Sequence, residues 1–207
     1  TKPYLLAACK YFNQKKAFKT LVTFQVFMKD YVRAGLTCIK IFMETLDAQY
    51  KLKCLEVAKG YFEEGLKLRQ QLALKGIKMS PEVSTEVLHE SDVNKYLNRI
   101  DLQHELFQFL IPRYKDISIE GFEQFTLFGN QLQRQALAEY VILHDVDLGM
   151  DIIDDAKLDR MSVLTASIAN LGKSLIATIT NKADSSVDMK RIDEFLNALK
   201  VCSLTGI

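Results

Sequence analysis

The chain of 207 residues is long enough for one sizeable domain or two small ones, and its 48% hydrophobic content is ample for a core. It carries 27 basic and 26 acidic residues, a net charge of +1, so electrostatics give no reason to expect nucleic acid or anionic membrane as the main partner. Nine glycines and three prolines are too few breakers for a turn-dense sandwich or barrel and favour long helices.

In chain order, Pro3 suits the first turn of a helix, where its missing N–H has no partner to lose. Leu5, Cys9 and Phe12 share one face of that helix, and Asn13 to Lys16 break it. A second helix carries Phe18, Leu21, Phe24 and Met28 on one stripe with Val26 and Phe27 beside it, an apolar surface wide enough to predict neighbours on two sides. Asp30 caps or opens a third. There Val32, Leu36, Ile39 and Met43 recur at steps of four, three and four, while Ala34, Gly35 and Cys38 form a small-residue patch that admits a close neighbour. Asp47 or a neighbour starts a longer helix with Leu55, Phe62, Leu66 and Arg69 along one side, ended by Gly76.

Residues 77–91, with Pro81 and few apolar anchors, read as a surface loop and as the best candidate for an internal boundary. A helix over 92–111 follows. Val93, Leu97, Ile100, His104, Phe107 and Ile111 line one face, Leu102, Leu106 and Phe109 another, and Pro112 stops it. Residues 113–130 form a phenylalanine-rich connector ending in the turn residues Gly129 and Asn130. Gln131 to His144 presents Leu132, Ala136, Tyr140 and Leu143. Leu148 to Ala156 holds Ile152 and Ile153, and Met161, Leu164, Ile168, Leu171 and Leu175 form a stripe. A polar loop at Asn181 to Ser186 and a final helix over Val187 to Ser203 complete the chain. No two-residue alternation is long enough to predict a strand.

The fold class is therefore all-α. Helices that cannot bury both apolar faces alone predict an α-solenoid of stacked antiparallel helix pairs over 1–207, read as a single helical-repeat segment of a larger protein; an irregular helical bundle is the alternative. No fixed repeat length is present to assign a repeat class. The first residue is Thr1, not Met, so the chain reads as a piece of something longer. No apolar run approaches the roughly 20 residues that would span a bilayer.

No residue set announces chemistry. Cys9, Cys38, Cys54 and Cys202 lie in apolar helical patterns without CxxC spacing and read as reduced, buried residues. Gly172, Lys173 and Ser174 resemble the end of a phosphate loop, but Ser167 stands where its first glycine belongs and the surrounding pattern is helical. Asp145, Asp147, Asp151, Asp154, Asp155 and Asp159 form an acidic run. Gly149 and Ala156 occupy positions where a calcium loop needs ligands, so the run reads as a solvated face with aspartates favouring helix N-termini. His89, His104 and His144 are scattered, and without HExxH or a histidine–cysteine cluster they do not support zinc. Lys67, Arg69, Lys75 and Lys78 form a basic cluster that reads as a solvated helix end, with weak contact to anionic lipid as the alternative. Catalytic, cofactor-binding and metal-binding residues are accordingly none in this segment, and partner-binding residues are unassigned.

Particular stretches point further. Leu5 to Cys9 reads LLAAC, Phe27 to Ile39 reads FMKDYVRAGLTCI, Leu97 to Leu110 reads LNRIDLQHELFQFL and Leu127 to Asn130 reads LFGN. Together these resemble the C-terminal helical region of the spastizin family, large proteins that carry a FYVE zinc finger. Packing alone would not dictate Lys29, Asp30, Arg33 and Asn130. The stretch 77–91 and the tail after Leu171 depart from the family pattern.

The resemblance implies a non-enzymatic scaffold segment that binds spatacsin and the fifth adaptor-protein complex. It implies roles in late-endosome and lysosome sorting, autophagic lysosome reformation and cytokinesis. The location it implies is cytoplasmic and peripheral on late-endosome and lysosome membranes, with the centrosome and midbody as further sites. Phosphatidylinositol 3-phosphate binding belongs to the finger, whose cysteine pattern is missing here, so neither lipid nor zinc binding carries over. Nucleic-acid binding and direct membrane insertion are not expected. A purely structural spacer and a helical enzyme with an unrecognised site are the alternatives.

Overall fold

The computed structural model describes residues 3–76, 88–116 and 125–180, together with Asp193, Leu196, Asn197 and Lys200, all four helical. Eight α-helices and no strand occur among the described residues: α1 (Pro3–Gln14), α2 (Phe18–Phe27), α3 (Tyr31–Glu44), α4 (Ala48–Leu74), α5 (Glu90–Leu110), α6 (Gln131–Val141), α7 (Val146–Ala156) and α8 (Arg160–Thr180). The chain is all-α, as the sequence predicts. Of the predicted loop 77–91, residues 77–87 lie outside the described residues, as do residues 117–124, the predicted polar loop Asn181 to Ser186 and most of the final predicted helix; Glu90 and Ser91, which the sequence places in that loop, already belong to α5. Two compact units divide between His104 and Glu105.

In unit 1, α1 packs on α2, α2 on α3, and α3 most extensively on α4. The helix starts are set by aspartates. Asp30 accepts the Arg33 backbone N–H at α3 and also pairs with the Arg33 guanidinium at 2.9 Å; Asp47 accepts the Tyr50 N–H at α4. Both satisfy donors that a helix N-terminus otherwise leaves unpaired. The ends of α1 and α2 are set by lysines, while α4 runs into Gly76 at a φ of 66°. Lys16 and Lys29 adopt left-handed backbone conformations, with φ of 54° and 59°. The following N–H groups, of Ala17 and Asp30, then reach back to the carbonyls of Phe12 and Gln25 at 2.9 Å. Glycine usually takes this role; lysine adds a cation beside the negative helix end.

The core of unit 1 is the α3–α4 crossing. The buried face of α3 is Val32, Ala34, Gly35, Thr37, Cys38, Ile39 and Phe42. This corrects the stripe read from spacing, since Leu36 is half-buried and Met43 exposed. From α4 come Lys51, Leu55, Ala58, Phe62 and Gly65 at steps of four and three, with Cys54 beside Leu55. Leu66 and Arg69, expected on this face, are only half-buried.

The crossing is reciprocal. A Cβ on Gly35 would stand 2.8 Å from the Phe62 ring, and one on Gly65 would stand 2.8 Å from Val32 Cγ2. Each helix thus supplies a gap and the side chain that fills the other's gap. Phe62 also stacks on Tyr96 of α5, with ring centroids 5.5 Å apart, and Lys59 of α4 donates to Asp101 of α5. A lysine that the sequence gave no reason to bury, Lys51, is 3% exposed, its Nζ 5.0 Å from the centroid of the Phe42 ring.

In unit 2, α6, α7 and α8 each pack on both of the others. Leu137, Ala138, Val141, Ile142, Ile152, Ile153, Val163 and Leu164 fill the centre. Here the predicted α6 face is corrected. Leu132 is 79% exposed and Ala136 is exposed, because the helix is rotated so that Leu137 and Val141 point inward. Met161 is exposed for a similar reason, its place being taken by Val163. Ser167 is buried on the same stripe, within hydrogen-bond reach of the Val163 and Glu139 carbonyls. The long helix α5 ends one residue short of the predicted Ile111, which is 50% exposed and opens a 3₁₀ turn, Ile111–Asp116. Arg113 donates to the Phe109 carbonyl and covers the Phe109 ring.

These packing contacts give glycine substitutions opposite signs. Gly35→Ala and Gly65→Ala are each expected to destabilise the chain by about 1–3 kcal/mol through overpacking, which outweighs the roughly 1 kcal/mol gained in helix propensity. Gly60 lies in the same helix with nothing within 4 Å of an added Cβ. Gly60→Ala is therefore expected to stabilise by about 0.5–1 kcal/mol. Thermal unfolding of the three variants checks the contrast; a lowered midpoint for Gly60→Ala, or unchanged midpoints for the other two, contradicts it.

Candidate functional site

A concavity of a size that could take a ligand or a partner's side chains lies within unit 1. It is a solvent-open cleft of about 700 Å³ lined from four helices: Leu6, Cys9, Lys10 and Asn13 of α1, Leu21 and Gln25 of α2, Arg33, Leu36, Thr37, Ile39 and Lys40 of α3, and Tyr96 of α5. Its location follows from helix order. Because α1 packs on α2 rather than seating deeply on α3, the α3 surface carrying Leu36 and Lys40 is left partly uncovered. No residue of α1 is fully buried. At one end Lys40 Nζ donates to Asn13 Oδ1 at 2.9 Å, tying α3 to α1.

Among the lining residues, two buried polar groups satisfy each other. The Thr37 hydroxyl lies 2.8 Å from Gln25 Oε1 and 2.9 Å from the Arg33 carbonyl. One hydroxyl proton serves one of these acceptors. With the Gln25 amide turned so that its nitrogen faces Thr37, the hydroxyl accepts from Gln25 and donates to Arg33, and all three groups are paired. This bond explains how Gln25 can be 5% and Thr37 3% exposed on otherwise apolar faces. Neither residue stood out in the sequence; the only signal was a glutamine inside the apolar run of α2.

The lining contains no carboxylate and no histidine. Its thiol is a poor nucleophile, because burial and the nearby Asp30 carboxylate push Cys9 above its ordinary range. Deeper in the unit, burial and the neighbouring Cys54 push Cys38 up to about 12. Burial also raises Cys54. These three are free cysteines, with Cys38 and Cys54 buried and Cys9 half-buried; Cys202 lies outside the described residues.

The other residues singled out in the sequence are dispersed. Asp145 accepts the Leu148 N–H and Asp159 the Ser162 N–H, so both serve helix starts, while Asp154 takes the Arg160 guanidinium at 2.9 and 3.0 Å. Two aspartates of the acidic run therefore serve helix starts and a third pairs with an arginine, and no three His, Cys, Asp or Glu side chains are placed to hold a metal ion among the described residues. Gly172 to Ser174 lie within α8. His104 is half-buried; His144 is exposed beside Tyr140, ring centroids 5.1 Å apart. Of the basic cluster, Lys67 and Lys75 face solvent, Arg69 turns back to donate to the Leu88 carbonyl at 2.8 Å, and Lys78 lies outside the described residues. No described helix is long and apolar enough to cross a membrane.

With this geometry in place, comparison with known proteins is informative. No protein-family profile matches the chain, and no solved structure matches it. Its sequence is similar to zinc finger FYVE domain-containing protein 26. The identity is 30% over 146 residues with the Homo sapiens protein, covering 68% of this chain and 6% of the relative. It is 27% over 220 residues with the Bos taurus protein, covering 99% of this chain and 8% of the relative. A Dictyostelium discoideum protein is 29% identical over 206 residues, or 96% of this chain and 6% of its own length. The chain thus spans less than a tenth of the length of the curated relatives it matches.

The structure also explains the residues that carry the family resemblance. Lys29 is a left-handed helix end. Asp30 caps α3 and pairs with Arg33. Asn130 forms a reciprocal capping box with Gln133 at the start of α6, both bonds 2.9 Å. All four positions that packing does not dictate are accounted for by helix boundaries.

The thiols yield a pH prediction. A thiol held protonated in the fold adds stability below its unfolded pKa of about 8.5, and that stability is lost as pH rises toward the folded value. Wild type is therefore expected to lose more stability between pH 8 and pH 10 than Cys38→Ala, measured by urea unfolding. Equal losses contradict the burial of this thiol.

Proposed function

We propose that this chain is a non-enzymatic helical segment of a spastizin-like protein, and that it works by offering protein-binding surface. The observation that carries the reading is sequence similarity to zinc finger FYVE domain-containing protein 26 extending over 99% of the chain. Two features of the molecule support it. Its main cleft is an apolar and basic surface without a nucleophile–base pair, and its acidic and histidine residues serve helix ends or stand apart. The partners in this reading are spatacsin and the fifth adaptor-protein complex. The setting is the cytoplasmic face of late endosomes and lysosomes, in sorting, autophagic lysosome reformation and cytokinesis.

A structural spacer is the second reading. It is favoured by the finding that Lys29, Asp30, Arg33 and Asn130 all act at helix boundaries, which a rigid connector requires as much as a binding module does.

Capture of purified spatacsin by the immobilised 207-residue chain separates the two. The binding reading predicts saturable capture at physiological salt. A chain that is folded by circular dichroism but captures nothing removes the partner assignment and leaves the spacer.

A further inference from the structure

The cleft between α1, α2 and α3 joins an apolar floor to an unbalanced charge. Leu21, Leu36 and Ile39 line it with Tyr96, and Leu6, 47% exposed, extends the apolar surface along α1. Three cations also line it, and no carboxylate does. Arg33 is neutralised by Asp30. Lys10 is exposed on α1, and Lys40, exposed on α3, donates to the neutral Asn13 amide oxygen and lies over the Phe18 ring, 5.9 Å from its centroid, with neither contact cancelling its charge. In a chain whose net charge is only +1, this leaves a positive charge on each of the two helices that border the apolar floor.

We infer that the cleft between α1, α2 and α3 is a docking groove for an acidic amphipathic helix of a partner protein. The inference rests on the protein-binding reading above and specifies the chemistry of the partner. A helix laid in a groove presents apolar side chains at i, i+4 and i+7 to the floor. Glutamates or aspartates flanking that stripe then meet Lys10 and Lys40, whereas a basic helix brings like charges together, which costs affinity and selects against it. The half-exposed Leu6 and Leu36 gain burial on docking. The buried Thr37 hydroxyl is already paired within the chain, so an apolar side chain laid over it leaves that hydroxyl satisfied.

The test is fluorescence anisotropy with the 207-residue chain and two labelled helical peptides. Both carry leucine at i, i+4 and i+7; one has glutamate at the flanking positions and the other lysine. The glutamate peptide is expected to bind saturably and about tenfold tighter than the lysine peptide, with the preference shrinking as salt is raised. Lys10→Glu is expected to weaken it several-fold while leaving the thermal midpoint in place, since that side chain faces solvent; Lys40→Glu is expected to weaken it several-fold as well, with a small drop in midpoint from loss of the Asn13 bond. Leu36→Asn is expected to weaken both peptides. Equal affinity for the two peptides overturns the inference. So does the absence of saturable binding, or indifference to both lysine substitutions. Binding of phosphatidylserine vesicles in place of the peptide, lost in the same variants, assigns the groove to a membrane surface and overturns it as well. Spatacsin capture that survives Lys10→Glu and Lys40→Glu places the docking surface elsewhere and leaves the binding reading intact. Peptide binding without spatacsin capture keeps the groove and removes the named partner.

Discussion

Two glycines and two side chains hold unit 1 together. Gly35 of α3 makes room for the Phe62 ring and Gly65 of α4 makes room for Val32, so the two helices approach more closely than residues with a Cβ allow at those points. Everything else in the unit is referred to that contact. Phe62, fixed against Gly35, is the surface on which Tyr96 of α5 stacks. The close crossing also buries Cys38, Cys54, Ala58 and Phe42. With α3 seated on α4 through its small residues, its Leu36 and Lys40 side is turned away and becomes a wall of the cleft.

Much of this was legible before any coordinates. The helices, their all-α class and the Ala34–Gly35–Cys38 patch follow from spacing and residue size. The aspartates that start α3, α4 and α7 are visible as polar residues ahead of apolar periods. What spacing could not give was rotation. In α6, Leu132 and Ala136 fit a helical period as well as Leu137 and Val141 do, and only the neighbours α7 and α8 decide which pair turns inward. The left-handed backbone at Lys16, Lys29 and Lys157 was hidden for another reason: a left-handed turn advertises itself through glycine, and here lysine fills it. The cleft was the least legible feature, since it is made by Gln25, Thr37 and three helices' worth of residues that no linear motif joins.

The same accounting bears on how much a resemblance can say. The residues that make FMKDYVRAGLTCI and LFGN distinctive are a left-handed lysine, a cap with its ion pair, and a capping box. Such residues hold helices at fixed lengths and angles. The sequence similarity therefore speaks first to a shared helical path. Partner choice lies with residues such as Lys10 and Lys40, whose identities the packing leaves open.

α1 has a consequence of its own. It borders the cleft yet fully buries none of its residues, and its links to the unit are edge contacts such as Phe12 against Phe24 and the Asn13–Lys40 bond. Lifting it away uncovers less buried surface than opening α3 from α4, so within unit 1 local opening is expected at α1 before it is expected at that crossing. A groove bordered by such a helix changes width at lower cost than one walled by the crossing itself.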